Sequence, residues 1–332
     1  MHHPLHTPIC DTFGIEYPIF LAGMGGVSTA PLVAAVSNAG GLGIIGGATM
    51  GTDMLREEIR HTRELTDRPF AVDLLAPLPE MLRAPLEVVF EEEVKIFVAG
   101  LAVPSEFIDE MHERGMTVVV MCGKVRHAQK SEAAGADVVV AQGTEAGGHT
   151  GEIGTMALVP QTVDAVNIPV LAAGGLVDGR ALVASLALGA QGAVFGTRFI
   201  ATPESQAAAG YRQAIVDAQG DDTVRTRSYT GKPTRAIRNE RTDEWEAKAD
   251  QLQPFPMQAM GSAKEGVMDY MGRGDQFDRN RTFLPAGQGT GLINEVKPAA
   301  EVFEEIVREA EAIISDHFQL PTSTAEPSAR RL

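Results

Sequence analysis

Eight short apolar runs, each ending at glycine or another small residue and each followed by a stretch of helical periodicity, constrain the fold of this 332-residue chain more than any other feature. They occupy residues 19–23, 42–47, 71–76, 94–100, 117–123, 137–143, 168–175 and 193–199, with starts about 20 to 31 residues apart. Continuous rather than alternating hydrophobicity marks strands buried on both faces, the situation of a parallel sheet covered by helices. A strand, a helix and two short loops fit this spacing, and eight nearly equal units favour closure over an open sheet. The predicted fold is an α/β protein, a TIM (β/α)8 barrel complete near residue 200.

The helices between the runs are legible. Residues 29–39 (TAPLVAAVSNA) carry Pro31 near the start and stop at Gly40-Gly41, as expected of proline in a first helical turn and glycine past the last. Residues 125–134 and 179–188 stop likewise at Gly135 and Gly189. Beyond residue 200, Tyr211, Tyr229, Trp245, Phe255, Met257, Met260, Met268 and Met271 gather large side chains without strand alternation. The expected organisation is a barrel over 1–200, a smaller, mainly helical cap or substrate region over 201–295, a helix over 296–318 returning to the barrel, and a disordered tail over 319–332. The returning helix shows an apolar stripe of Val302, Phe303, Ile306, Val307, Ala310, Ile313 and Ile314.

Charge excludes one class of function. With 28 Lys and Arg against 44 Asp and Glu, the net charge of −16 argues against a nucleic-acid binder, whose affinity rests on a basic face. The two cysteines, Cys10 and Cys122, are too few and too distant for a disulfide framework or a thiolate metal site, and no metal is expected. There is no apolar core of signal-peptide length at the start and no run long enough for a membrane span. The expectation is a soluble cytoplasmic protein, with His2, His3 and His6 in a frayed terminus.

In such barrels chemistry lies at the carboxyl ends of the strands. Gly174-Gly175 and Gly196-Thr197 follow the seventh and eighth runs, where backbone N–H groups commonly hold phosphate, although glycines there also simply make tight turns. The loop after the sixth run, QGTEAGGHTGE over 142–152, sets four glycines around His149. That pattern lets backbone approach a ligand while an imidazole points into the site, and histidine serves as general acid or base near neutral pH.

This loop resembles the nitronate monooxygenase (2-nitropropane dioxygenase) family, which includes the flavin-type enoyl-ACP reductases. The resemblance extends to Gly23-Met24-Gly25, to AAVSNAGGLG over 34–43, to Ala172-Ala173-Gly174-Gly175 with Asp178-Gly179-Arg180, and to Gly196-Thr197-Arg198-Phe199. It continues through GKPTR over 231–235 and GQGTGLI over 287–293, spanning roughly residues 10 to 315. It implies a barrel that binds FMN. Carried over by motif, Ala22, Gly23, Met24, Gln142 and Gly147 would contact the flavin, while Gly174, Gly175, Val194, Phe195, Gly196 and Thr197 would hold its phosphate. His149 falls on the family's active-site histidine, the base toward the nitroalkane in the monooxygenases.

Two positions depart from the family. Asp73 stands after the third strand, where many members place an amide that touches the flavin ring; an ionised carboxylate only accepts hydrogen bonds and disfavours an electron-rich reduced flavin. Met121-Cys122-Gly123 stands where some quinone-reductase relatives carry a lysine, with Lys124 beside it and Cys122 read as a small buried side chain. A basic stretch of Arg225, Arg227, Lys232, Arg235, Arg238 and Arg241 reads either as a face paired with acidic helices or as a landing place for NAD(P)H or thioester phosphates.

The resemblance therefore implies an FMN-dependent oxidoreductase that oxidises alkyl nitronates or nitroalkanes with O2. The alternative is NAD(P)H-dependent reduction of enoyl thioesters or quinones through the same flavin. Expected partners are a small-molecule substrate with O2 or NAD(P)H as co-substrate, a CoA or acyl-carrier thioester under the alternative, and a second copy of the chain. A third reading is a barrel that binds a phosphorylated ligand without turnover.

Overall fold

A computed structural model describes residues 3–75, 79–272 and 277–317. Eight parallel strands form the barrel: β1 (Ile19–Leu21), β2 (Gly43–Gly46), β3 (Phe70–Leu75), β4 (Ile96–Gly100), β5 (Thr117–Cys122), β6 (Val138–Gln142), and, after a two-residue β7 (Gly148–His149), β8 (Val170–Ala173) and β9 (Gly192–Phe195). Their order is β1-β9-β8-β6-β5-β4-β3-β2. A single parallel bridge between Phe20 and Leu42 closes the ring, with Leu21 N and Leu42 N each donating across the seam at 2.9 Å.

Each strand is buried on both faces, and the pleat decides which side chain goes where. Ile19 and Leu21 point out to the helices, whereas Phe20 points into the barrel. The inward residues form two levels. Ala71, Ile96 and Val138 pack with Ile9, Phe13 and Ile15 from the N-terminal segment, whose helix Pro8–Phe13 plugs the amino end. Phe20, Ile44, Val98, Val119, Val140, Leu171 and Val194 form the upper level and floor a cavity at the carboxyl end.

From His3 onward the N-terminal segment is docked rather than frayed, and His2 lies outside the described residues. Leu5 is fully buried, Thr7 Oγ1 donates to Gln191 O at 2.6 Å, and His3 Nε2 pairs with Glu311. Apolar anchors at Leu5 and Ile9 outweigh the entropy that histidines and prolines would otherwise leave free.

Seven helices follow their strands, and Ala299–His317 takes the eighth place in the ring, packing against Gly179–Ala187 and Ala30–Asn38. Gly179 makes this close approach possible, since a Cβ there would lie 2.4 Å from Ala310 N. The 201–298 segment is thus an insertion between the eighth strand and its helix. It holds the helices Ala209–Asp217, Glu240–Glu246 and Met257–Lys264. It also holds strands β10 (Thr223–Thr226) and β11 (Thr234–Ile237), which the sequence pattern did not show. β10, β11 and β7 form an antiparallel sheet, so the cap carries a small sheet beside its helices. Four-residue strands whose burial comes from tertiary contacts leave no alternation to read. The predicted tail over 319–332 lies outside the described residues.

Candidate active site

The cavity at the carboxyl ends of the strands has a volume of about 410 Å³. It gathers side chains or backbone from Ala22, Gly23, Met24, Asp73, Gln142, Gly147, His149, Gly174, Gly175, Val194, Gly196 and Thr197. Of the residues expected from sequence, Phe195 alone is not in its wall. Its ring faces the outer helices and meets Phe199 edge-on, because it alternates with Val194 along β9. Its contribution is a carbonyl that accepts from Ala22 N at 2.9 Å.

Glycine creates the space. A Cβ on Gly23 would lie 2.2 Å from Asp73 Oδ2, and one on Gly147 would lie 2.8 Å from the Ala286 carbonyl carbon. Gly174 and Gly175 follow β8 at φ +108 and +74, the left-handed region that favours glycine. Among the described residues, the N–H groups of Gly174, Gly175 and Gly196 have no protein acceptor. Unsatisfied amides clustered after the last two barrel strands suit a phosphate. The amide of Gln142 also has no protein partner among the described residues, leaving both its donor and acceptor for a ligand. A flavin mononucleotide therefore fits the residues present: an amide nest for its phosphate and glycine-made room for its ring.

His149 is carried into this wall by β7, whose pairing with β11 sets His149 opposite Thr234. Arg235 reinforces the junction, donating from Nε to Thr144 O at 2.9 Å and from an Nη to Thr223 Oγ1 at 3.2 Å. The imidazole Nε2 lies 3.0 Å from Thr230 Oγ1, and that hydroxyl donates to Lys232 O at 3.2 Å. A hydroxyl has one proton. With that proton on Lys232 O, the oxygen accepts from Nε2–H, and the lone pair of the ring rests on Nδ1. Burial, and secondarily the ammonium of Lys232, lowers the His149 pKa to about 4.

Asp73 lies in the cavity wall, flanked in register by Gly46 and Val98. Its Oδ1 is buried without a partner, and burial alone raises its pKa to about 8. Burial likewise lifts the Cys122 thiol to about 11, with Sγ 3.6 Å from both Val120 O and Ser131 Oγ. Met121 lines the cavity.

The roof comes from the inserted segment. Phe255, Met268, Tyr270 and Phe283 line it, and Tyr270 donates its hydroxyl to Gly25 O at 2.7 Å. The sequence reading missed Thr230 and Tyr270. Thr230 is adjacent to the GKPTR block that carries the resemblance, and that adjacency was the available signal. Tyr270 meets Gly25 across 245 positions, a contact with no local signature.

The basic stretch does not make one face. Arg235 and Arg241 are buried, Arg225 pairs with Glu152, Arg238 with Asp243 and Arg241 with Glu265. Arg227 donates to Gly231 O, and the Lys232 ammonium sits 4.7 Å above the Phe255 ring.

The nitronate monooxygenase family model matches residues 6–85 and 82–309. The chain belongs to the nitronate monooxygenase family. A family relative from Staphylococcus saprophyticus described as a probable nitronate monooxygenase is 35% identical, covering 94% of this chain and 99% of its own. FabK from Thermotoga maritima superposes with a TM-score of 0.84 at 38% identity, over 93% of this chain and 97% of that one. A nitroalkane oxidase from Streptomyces ansochromogenes superposes at 0.83 with 32% identity, over 92% and 99%. Membership makes this chain an oxidoreductase enzyme. Among the described residues no helix is long and apolar enough to cross a membrane, and no cluster of His, Cys, Asp or Glu could hold a metal ion.

Proposed function

We propose that this oxidoreductase binds FMN and oxidises alkyl nitronates, and the nitroalkanes that give rise to them, with O2 as the electron acceptor. The observation that carries the choice among the family's reactions is the state of His149. With its pKa near 4, roughly one imidazole in a thousand carries a second proton at pH 7. Such a group is neutral at pH 7, so it has a free lone pair to take a proton and no imidazolium proton to give. That suits withdrawal of the acidic Cα proton of a nitroalkane and does not suit protonation of a reduced enoyl thioester.

When bound, FMN supplies a two-electron acceptor that O2 regenerates. The chain supplies the rest. Nδ1 of His149 takes the Cα proton of a neutral nitroalkane, while Nε2–H stays anchored on Thr230 and keeps the ring in place. Phe255, Met268 and Phe283 receive the alkyl group and exclude water. Lys232 sits at the roof over Phe255 and attracts the anionic nitronate. A base of such low pKa is a modest one, so nitronate that arrives already deprotonated is expected to be the better substrate.

The likeness to FabK favours the second reading, NAD(P)H-dependent reduction of an enoyl thioester. The dispersal of the Arg225–Arg241 cations into internal contacts weighs against it, because the phosphates of a CoA or carrier arm need a shared basic face.

Oxygen uptake with propyl-2-nitronate and with 2-nitropropane tests the proposal. Uptake with both, faster with the nitronate and dependent on protein-bound FMN, is expected. No uptake with either, together with NAD(P)H oxidation on adding an enoyl thioester, replaces it with the second reading.

A further inference from the structure

The wall of the cavity contains one ionisable side chain, Asp73, that nothing among the described residues satisfies. Asp73 is 9% exposed and its Oδ1 has no hydrogen-bond partner. The carboxyl projects into a space kept open by glycines on both sides. A Cβ on Gly23 would lie 2.2 Å from Oδ2, and one on Gly100 would lie 3.5 Å from Oδ1. Its register neighbours, Gly46 on β2 and Val98 on β4, offer neither a donor nor a charge. The other titratable groups in the cavity wall are His149, Tyr211 and Tyr270. Each has its own partner: Thr230 for His149, Pro285 O for Tyr211 and Gly25 O for Tyr270. Among the described residues, no charged group is a cause of the Asp73 shift, which burial alone produces.

An unpaired carboxylate is among the costliest groups to bury, and it escapes the cost by keeping its proton. As a carboxylic acid it gains a donor that the ionised form lacks. We infer that Asp73 is a neutral acid whose O–H donates to a hydrogen-bond acceptor on the bound isoalloxazine, so that FMN binds only the protonated site. The inference rests on the FMN reading and deepens it. An amide at this position would donate at every pH; the acid donates only below its titration. Binding and protonation are therefore coupled. Bound FMN holds the proton on Asp73, and loss of the proton releases FMN.

The affinity of the holoprotein for FMN, read from the fluorescence of released flavin at stepped pH from about 6 to about 10, tests this. Burial places the acid's titration at about 8. The expected Kd is flat below it and rises about tenfold per pH unit above it, as the binding-competent fraction falls. Asp73→Asn, which keeps a donor that does not titrate, is expected to bind FMN without this rise. Asp73→Leu, which has no donor, is expected to bind about tenfold more weakly at every pH, also without the rise. A flat wild-type profile overturns the role of Asp73 while leaving FMN binding intact. The same rise in Asp73→Asn overturns it equally, by assigning the titration elsewhere. No FMN binding at any pH in any of the three proteins defeats the cofactor reading and this inference together.

Discussion

His149 Nε2 lies 3.0 Å from Thr230 Oγ1, although the two residues are 81 positions apart and belong to the barrel loop and to the cap. The contact makes the inserted segment part of the base. Thr230 holds the ring through Nε2, so it acts as a positioning residue rather than as a reacting group. Thr230→Val is expected to lower kcat/KM for a neutral nitroalkane by roughly 10- to 100-fold, with nitronate turnover changed much less. Thr230→Ser restores the hydroxyl and should restore the rate. Equal losses on both substrates, unrescued by serine, would mean that Thr230 only supports the cap.

His149→Gln removes the base but keeps a polar side chain of similar length. Turnover of neutral nitroalkane should fall about 10²- to 10⁴-fold, the usual contribution of a positioned base. Oxidation of preformed nitronate should fall by less than about tenfold, because that substrate has already lost its proton. Steady-state kinetics on the two forms of one substrate make the comparison. A comparable collapse on both would place His149 in flavin chemistry or binding instead.

Gly23→Ala tests the cradle. The new methyl would lie 2.2 Å from Asp73 Oδ2, inside any tolerable contact, so either the loop after β1 or the Asp73 side chain must move. Overpacking of this kind costs about 1 to 3 kcal/mol. Thermal unfolding should shift down, and the FMN content of the purified protein should fall with it. A variant with wild-type stability and full FMN occupancy would show that the site is roomier than described.

The barrel was legible because parallel strands buried on both faces advertise themselves as apolar runs, and Leu42, Val98, Val119 and Leu171 sit inside it accordingly. The glycines of the rim were legible for a different reason, their position after strands. Phe195 falls outside the cavity wall because the pleat turns alternate residues of β9 away from it, which motif adjacency does not register. The cap was the least legible part. β10 and β11 are four residues long and gain their burial from Thr144, His149 and Leu284, partners far away in sequence. The isolation of Asp73 could not be read at all, since it depends on what its neighbours lack.

Asp73 also leaves a mark on stability. Its pKa is raised from 3.8 to about 8 in the folded protein, so the unfolded chain releases the proton first as pH rises. The folded state is then penalised by roughly 1.4 kcal/mol per pH unit between those two values, and the favourable contribution is fully present only below the lower one. In FMN-free protein, Asp73→Asn should therefore gain stability over wild type steadily from about pH 5 to about pH 8. His149, whose folded pKa is depressed, acts in the opposite direction below its ordinary range, but it does so in both proteins and cancels. Urea denaturation at stepped pH reads the difference, and parallel curves would show Asp73 ionised at its ordinary pKa.

The most direct measurement is the reductive half-reaction without oxygen. Purified holoprotein is mixed anaerobically with propyl-2-nitronate, NADH or NADPH while the flavin absorbance is followed. Oxidation of nitronates at this site requires that nitronate bleaches the flavin within the turnover time, that neither nicotinamide does so at a comparable rate, and that admitting oxygen restores the colour. Rapid bleaching by NADH or NADPH, with the nitronate inert, would contradict it.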